Sequence, residues 1–277
     1  MDNITPLHEL AEKTVEEQLF LFKPHDATRM QSRYFGRSSA DVPSYPSPGV
    51  DIDYYAATTP TDELKMIIRD DAGDTIAVFF SKTGSPRLPA KRGMVRFVWD
   101  MRRRAAGESG QSMGRGGRGP LVSPGKYNVT LTDGRFERSA LFTILMDPRI
   151  KADGVTIADL REQEKLLQKI AALRSSAELL LKDLKQKIEV LESSERSGIG
   201  GNRSRRRLKS LREIQERLVT AAGPYPQPKI IDQISYLSGM LSRADQKPGR
   251  DAYLRYEELS KDVKRCRDEI KALTGEQ

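Results

Sequence analysis

Two periods divide the chain. Up to about residue 146 apolar residues alternate with polar ones; beyond residue 156 they recur every three or four positions. Ile52 and Tyr54 alternate with Asp51, Asp53 and Tyr55, which predicts a strand with its carboxylates on the solvent face of a sheet edge. Leu64 to Arg69 predicts a second strand and Thr75 to Phe80 its partner, joined by a turn over 70–74 in which Gly73 takes a positive φ. Met94 to Met101, Gly125 to Thr132 and Arg135 to Leu145 complete the set, the last two joined by Asp133-Gly134. Six or seven short strands at this spacing predict a β-sandwich over 50–146. Trp99, flanked by Phe97 and Met101, is expected in its core. Before them, Pro24, Pro43, Pro46 and Pro48 interrupt any regular element, so 1–49 reads as an irregular lead-in.

Asp147-Pro148-Arg149 reads as a stop, and Thr156 with Asp159 as the capped start of a helix. Leu160, Leu167, Ile170, Ala177, Leu181, Leu184, Ile188 and Leu191 then form a heptad seam lasting to about Ser194, roughly 57 Å of helix. Glycines over 198–201 close a hairpin. A second helix is expected from about Arg203 to Ala222, a short one from Ile230 to Leu241, and a last one from Asp251 to Leu273. One such amphipathic helix would leave its stripe in water. Several joined by tight turns bury one another, so 157–273 is read as an antiparallel hairpin or bundle. The fold class expected is α+β in segregated domains.

The net charge of +8 and pI of about 9.5 invite a polyanion as partner, although surplus Lys and Arg also solvate long helices. Arg102, Arg103, Arg104, Arg115 and Arg118 fall in a basic, glycine-rich loop. Arg205, Arg206 and Arg207, with Arg203, begin a helix, where cations oppose the dipole. The loop has no interleaved aromatic and no GxxxxGK[ST] run, which favours a flexible connection over a phosphate clamp.

The single cysteine, Cys266, excludes an intrachain disulfide and a thiolate metal cluster, and its place on the last helical stripe predicts a buried, inert thiol. His8 and His25 lack metal-ligand spacing. Asp51 and Asp53 are near enough for paired-carboxylate chemistry, but strand alternation already explains them. No catalytic, cofactor-binding or metal residue is therefore expected. No run reaches the ~18 apolar residues of a membrane span, and the opening residues lack the regions of a signal peptide.

The runs Gly93-Met94-Val95-Arg96-Phe97-Val98-Trp99-Asp100-Met101-Arg102 and Gly119-Pro120-Leu121-Val122-Ser123-Pro124-Gly125-Lys126-Tyr127-Asn128-Val129 resemble two strands of bacterial sortilin-type, BNR-repeat or Asp-box propeller proteins labelled "glycosyl hydrolases". Asp147-Pro148-Arg149 is similar to their domain junction, Gln233 to Leu237 to part of their helical tail, and Asp2 to Leu7 to the run leaving their last propeller blade. The resemblance implies an immunoglobulin-like domain followed by helices, a chain that has lost its propeller, an extracytoplasmic location and a β-propeller as partner. It carries over no catalytic residue, because no S-x-D-x-G-x-T-W box occurs.

Three functions follow. The first is a non-catalytic structural or interaction module with a protein partner on the helices. The second is an accessory carbohydrate-binding part of a glycoside hydrolase, using Tyr34, Tyr45, Tyr54 and Tyr55. The third, nucleic acid or another polyanion bound by the arginine segments, ranks last.

Overall fold

The computed structural model describes residues 19–31, 48–104, 119–198 and 201–275. It is mixed α+β, with two sheets and five helices among those residues. The strands are β1 (Leu19–Leu21), β2 (Ala27–Arg29), β3 (Val50–Ala56), β4 (Lys65–Asp70), β5 (Thr75–Phe80), β6 (Gly93–Trp99), β7 (Gly125–Thr132) and β8 (Glu137–Met146). One sheet runs β1-β3-β6 and is antiparallel throughout. The other runs β2-β8-β7-β4-β5, with β2 parallel to β8 and the remaining pairs antiparallel.

Alternation puts one side of each strand into a shared apolar cluster. Ile52, Tyr54, Phe97 and Trp99 enter it from the first sheet, and Met66, Ile68, Val129 and Phe142 from the second. Trp99 is fully buried and meets Tyr127 and Phe142 edge-on at 6.0 and 6.2 Å, a favoured quadrupole geometry. Both expected hairpins form. Gly73 and Gly134 take φ of 86° and 91°, and Asp70 and Asp133 accept bonds from the turn amides with their side chains.

Three expectations need correction. The lead-in is not wholly irregular, since β1 and β2 lie in it; runs of three residues are too short to show a period of two. β3 is the central strand of its sheet rather than an edge, because β1 comes from that same lead-in to pair with it. Asp147-Pro148-Arg149 does not merely stop the strand. Asp147 caps a short helix, α1 (Pro148–Ala152), with proline in its first turn.

The other helices are α2 (Ile157–Arg196), α3 (Asn202–Leu218), α4 (Ile230–Leu241) and α5 (Arg250–Thr274). At α2 the Thr156 hydroxyl and the Asp159 carboxylate close a reciprocal capping box. Forty residues give α2 about 60 Å. A second apolar cluster unites Ile170, Leu184, Leu211, Ile234, Leu259 and Ile270, drawing on all four of these helices. α3 ends at Leu218, so Ala222 is exposed and outside the stripe.

The chain divides into two compact units after Glu164, inside α2. No helix of the described residues is long and apolar enough to cross a membrane.

Candidate functional site

Of the arginines of the basic loop, Arg102, Arg103 and Arg104 each take a partner within the fold. The backbone of 102–104 is stitched on two sides: Arg102 bridges to Leu121, Arg103 N–H donates to Pro120 O, and Arg104 N–H donates to Ile76 O. Their guanidinium groups follow different partners. Arg102 reaches Gly119 O at 3.0 Å, and Arg103 reaches the Glu164 carboxylate at 3.3 Å. Arg104 pairs with Asp100 and stands over the Phe79 ring. Three cations committed to three partners do not converge on one anion. Arg115 and Arg118 lie outside the described residues. On α3, Arg205 pairs with Glu195 at 2.9 Å, Arg206 is exposed and Arg207 is half-buried.

Glu164 centres a buried polar cluster that the sequence did not suggest. One carboxylate oxygen accepts from Ser123 N–H at 2.7 Å and from its hydroxyl at 2.6 Å, and the other accepts from Arg103. Tyr127 donates to Ser123 O at 2.6 Å, and Arg29 to Val122 O at 2.8 Å. Burial, and then the Glu164 charge, push the Tyr127 hydroxyl well above its usual range, so it stays a donor. A Ser–Glu pair suggests a nucleophile with a base. Here the serine is buried and the carboxylate is already bonded on both oxygens. What the cluster does is fasten the third turn of α2 to the 120–127 segment.

The two carboxylates of β3 are also occupied. Asp53 is buried and takes a bidentate pair from Arg96, its cross-strand neighbour, at 2.8 and 2.9 Å. The same guanidinium reaches Asp51 at 3.3 Å. The sequence reading placed Asp53 in solvent; its partner on β6 makes burial tolerable. His25 is exposed, and Asp26 caps the Thr143 amide, while His8 lies outside the described residues. Of the carbohydrate candidates, Tyr54 is fully buried with its hydroxyl on Pro89 O, Tyr55 is half-buried, and Tyr34 and Tyr45 lie outside the described residues. Among the described residues no group of three or more His, Cys, Asp or Glu is placed to hold a metal ion.

An apolar groove of about 1040 Å³ opens between α4 and α5. Its floor is Leu237, Leu241 and Ala252, and its lips are Tyr236, Met240 and Leu254. Arg255 bonds Glu258 at 2.7 Å and Gln233 at 2.6 Å across the far end. Its signal in the sequence is a second apolar stripe on α4: Tyr236 and Met240 at i, i+4 lie off the buried stripe of Ile230, Ile234, Leu237 and Leu241.

No family model, curated protein or solved structure matches the chain.

Charge separates the two units. Residues 1–164 carry 23 Lys and Arg against 23 Asp and Glu, while residues 165–277 carry 24 against 16, so the whole surplus of +8 is on the helical unit. Seven of those cations are on α3, against two acids.

Proposed function

We propose that this chain is a non-catalytic interaction module, whose helical unit receives a protein partner in the groove between α4 and α5. The exposed apolar groove is the observation that carries this reading. An exposed apolar surface rimmed by polar residues suits the docking of a partner, whereas the acids best placed for hydrolysis, Asp51 and Asp53, are held by Arg96. The test is a panel of chromogenic glycosides, on which the protein is expected to be inactive. Turnover that disappears in Asp53→Asn would overturn the reading.

An immunoglobulin-like sandwich is our reading of the first unit. Three features support it: the β1-β3-β6 and β2-β8-β7-β4-β5 orders, the shared apolar cluster, and the parallel pairing of β2 with the last strand. A fourth is Tyr127, near the start of β7, whose hydroxyl reaches back four residues to Ser123 O as a tyrosine corner does. The second unit reads as a helical bundle around α2. Placement beside a β-propeller in an exported protein rests on the order of the motifs around Trp99 and Tyr127 alone.

A second reading, a polyanion partner on α3, is favoured by the charge surplus confined to the helical unit. Phosphate neutralisation makes affinity for heparin or nucleic acid fall steeply with salt. Binding that is absent, or indifferent to salt, removes this reading.

A further inference from the structure

We propose that the basic face of α3, at its hairpin with α2, docks on a nucleic-acid duplex and contacts its phosphates rather than its bases. This rests on the polyanion reading above and names the polymer; it is independent of the groove between α4 and α5.

The hairpin concentrates the charge. Glu192 and Arg212 pair across it at 2.8 Å, and from one to the other the chain carries 7 Lys and Arg against 2 Asp and Glu, a surplus of +5. Both acids are spent locally, Glu192 on Arg212 and Glu195 on Arg205 at 2.9 Å. Leu211, Ile214 and Leu218 form the buried side of α3. On the other side Arg203, Arg206 and Lys209 descend at i, i+3 and i+6, exposed and without an ion-pair partner among the described residues. Arg207 is half-buried, and Arg196, exposed at the end of α2, reaches the Glu192 carbonyl. Glu213 and Glu216 are exposed on the later turns of α3, so the positive stretch runs from Arg203 to Arg212, about 14 Å. Folding does not call for these cations, because near the start of a helix they oppose its dipole.

The chemistry of this face selects among polyanions. Six of the seven cations of α3 are arginine, whose planar fork matches two oxygens of a phosphate. Asn202 and Ser204 stand among them, and such side chains join arginine in contacting a duplex backbone. No aliphatic or aromatic residue of α3 is exposed. A bilayer therefore finds no apolar face to bury, and unpaired bases find no ring to stack on. A duplex carries one charge per about 1.7 Å of its axis, so about 14 Å of it offers about eight phosphates to the three free cations.

The experiment uses the full chain, a short fluorescent duplex in two unrelated sequences, one of its single strands, heparin, and phosphatidylserine vesicles. Three neutralised phosphates give a slope of about −3 in log K against log salt, which is about 40-fold weaker binding at 200 mM than at 50 mM, equal for both sequences. Arg203→Gln with Arg206→Gln should bring the slope to about −1 and leave Tm unchanged, since both side chains are exposed and glutamine suits a helix. Lys261→Gln with Lys271→Gln removes the same charge from exposed positions on α5 and should leave the slope at about −3. Equal effects of the two pairs overturn the proposal, because bulk charge rather than this face would then govern binding. Tighter binding of the single strand or of the vesicles than of the duplex overturns it as well. Salt-dependent binding of heparin without binding of the duplex fails this inference and leaves the polyanion reading standing. No salt-dependent binding to duplex, single strand or heparin fails both.

Discussion

At Glu164 one side chain satisfies the buried Ser123 amide and hydroxyl and also the part-exposed Arg103. Glu164→Ala removes the acceptor and leaves the buried Ser123 donors unpaired, a loss of about 1–3 kcal/mol. Chemical denaturation should register it as a lower midpoint with unchanged slope. This residue was not legible beforehand: it contacts a serine 41 positions earlier, and no local period encodes that distance. Cys266 was legible, because its place on a heptad stripe already predicts burial. Burial pushes its thiol above the usual range, so the reactive thiolate is scarce at neutral pH. A thiol reagent at pH 7.5 should leave Cys266 unmodified in the folded protein and titrate one thiol per chain in guanidinium. Rapid labelling of the native chain would contradict that.

Elements were readable in proportion to their length. The hairpin β4–β5, strand β7 and helix α4 announce themselves by turn chemistry and sustained period, whereas β1 and β2 are set by pairing with β3 and β8, which is a property of the fold. The start of α3 is an element in conflict with its own dipole. Gly201 caps it without a side chain, its first turn has no acid, and Arg203, Arg205 and Arg206 crowd it. Gly201 has an extended conformation, and a Cβ there meets nothing within 4 Å. Gly201→Asp should therefore stabilise the protein by about 0.5–1 kcal/mol, seen as a raised Tm. α3 is also tied to α5 by Arg217 and Glu269, and the guanidinium holds the Glu269 carboxyl below its usual range. A lowered pKa means the contribution is complete above the unfolded value of about 4.3 and is lost as pH falls through the folded one. Both side chains are about 40% exposed, so it is worth less than about 1 kcal/mol. The Tm difference between wild type and Glu269→Gln should be present at pH 6 and close by pH 3.

Over the whole molecule, two apolar clusters are built from different residues and different elements: one from the strands, one from α2 to α5. The change of period in the sequence showed that there would be two. It did not show that the division falls after Glu164, inside the helical period, because the helix continues unbroken while its buried partners change from the Ser123 segment to the helical cluster. Separate cores have an energetic consequence. Trp99 is the largest fully buried side chain, and in Trp99→Ala the surrounding aromatics Tyr127 and Phe142 lose their central partner, costing the strand unit about 3–5 kcal/mol. Trp99 belongs to the strand cluster and not to the helical one. Hydrogen exchange on the variant should show amides of β3, β6 and β7 opening faster by about two to three orders of magnitude, while those of α4 and α5 keep their wild-type rates. A uniform loss of protection in strands and helices alike would mean that the two clusters unfold as one cooperative body.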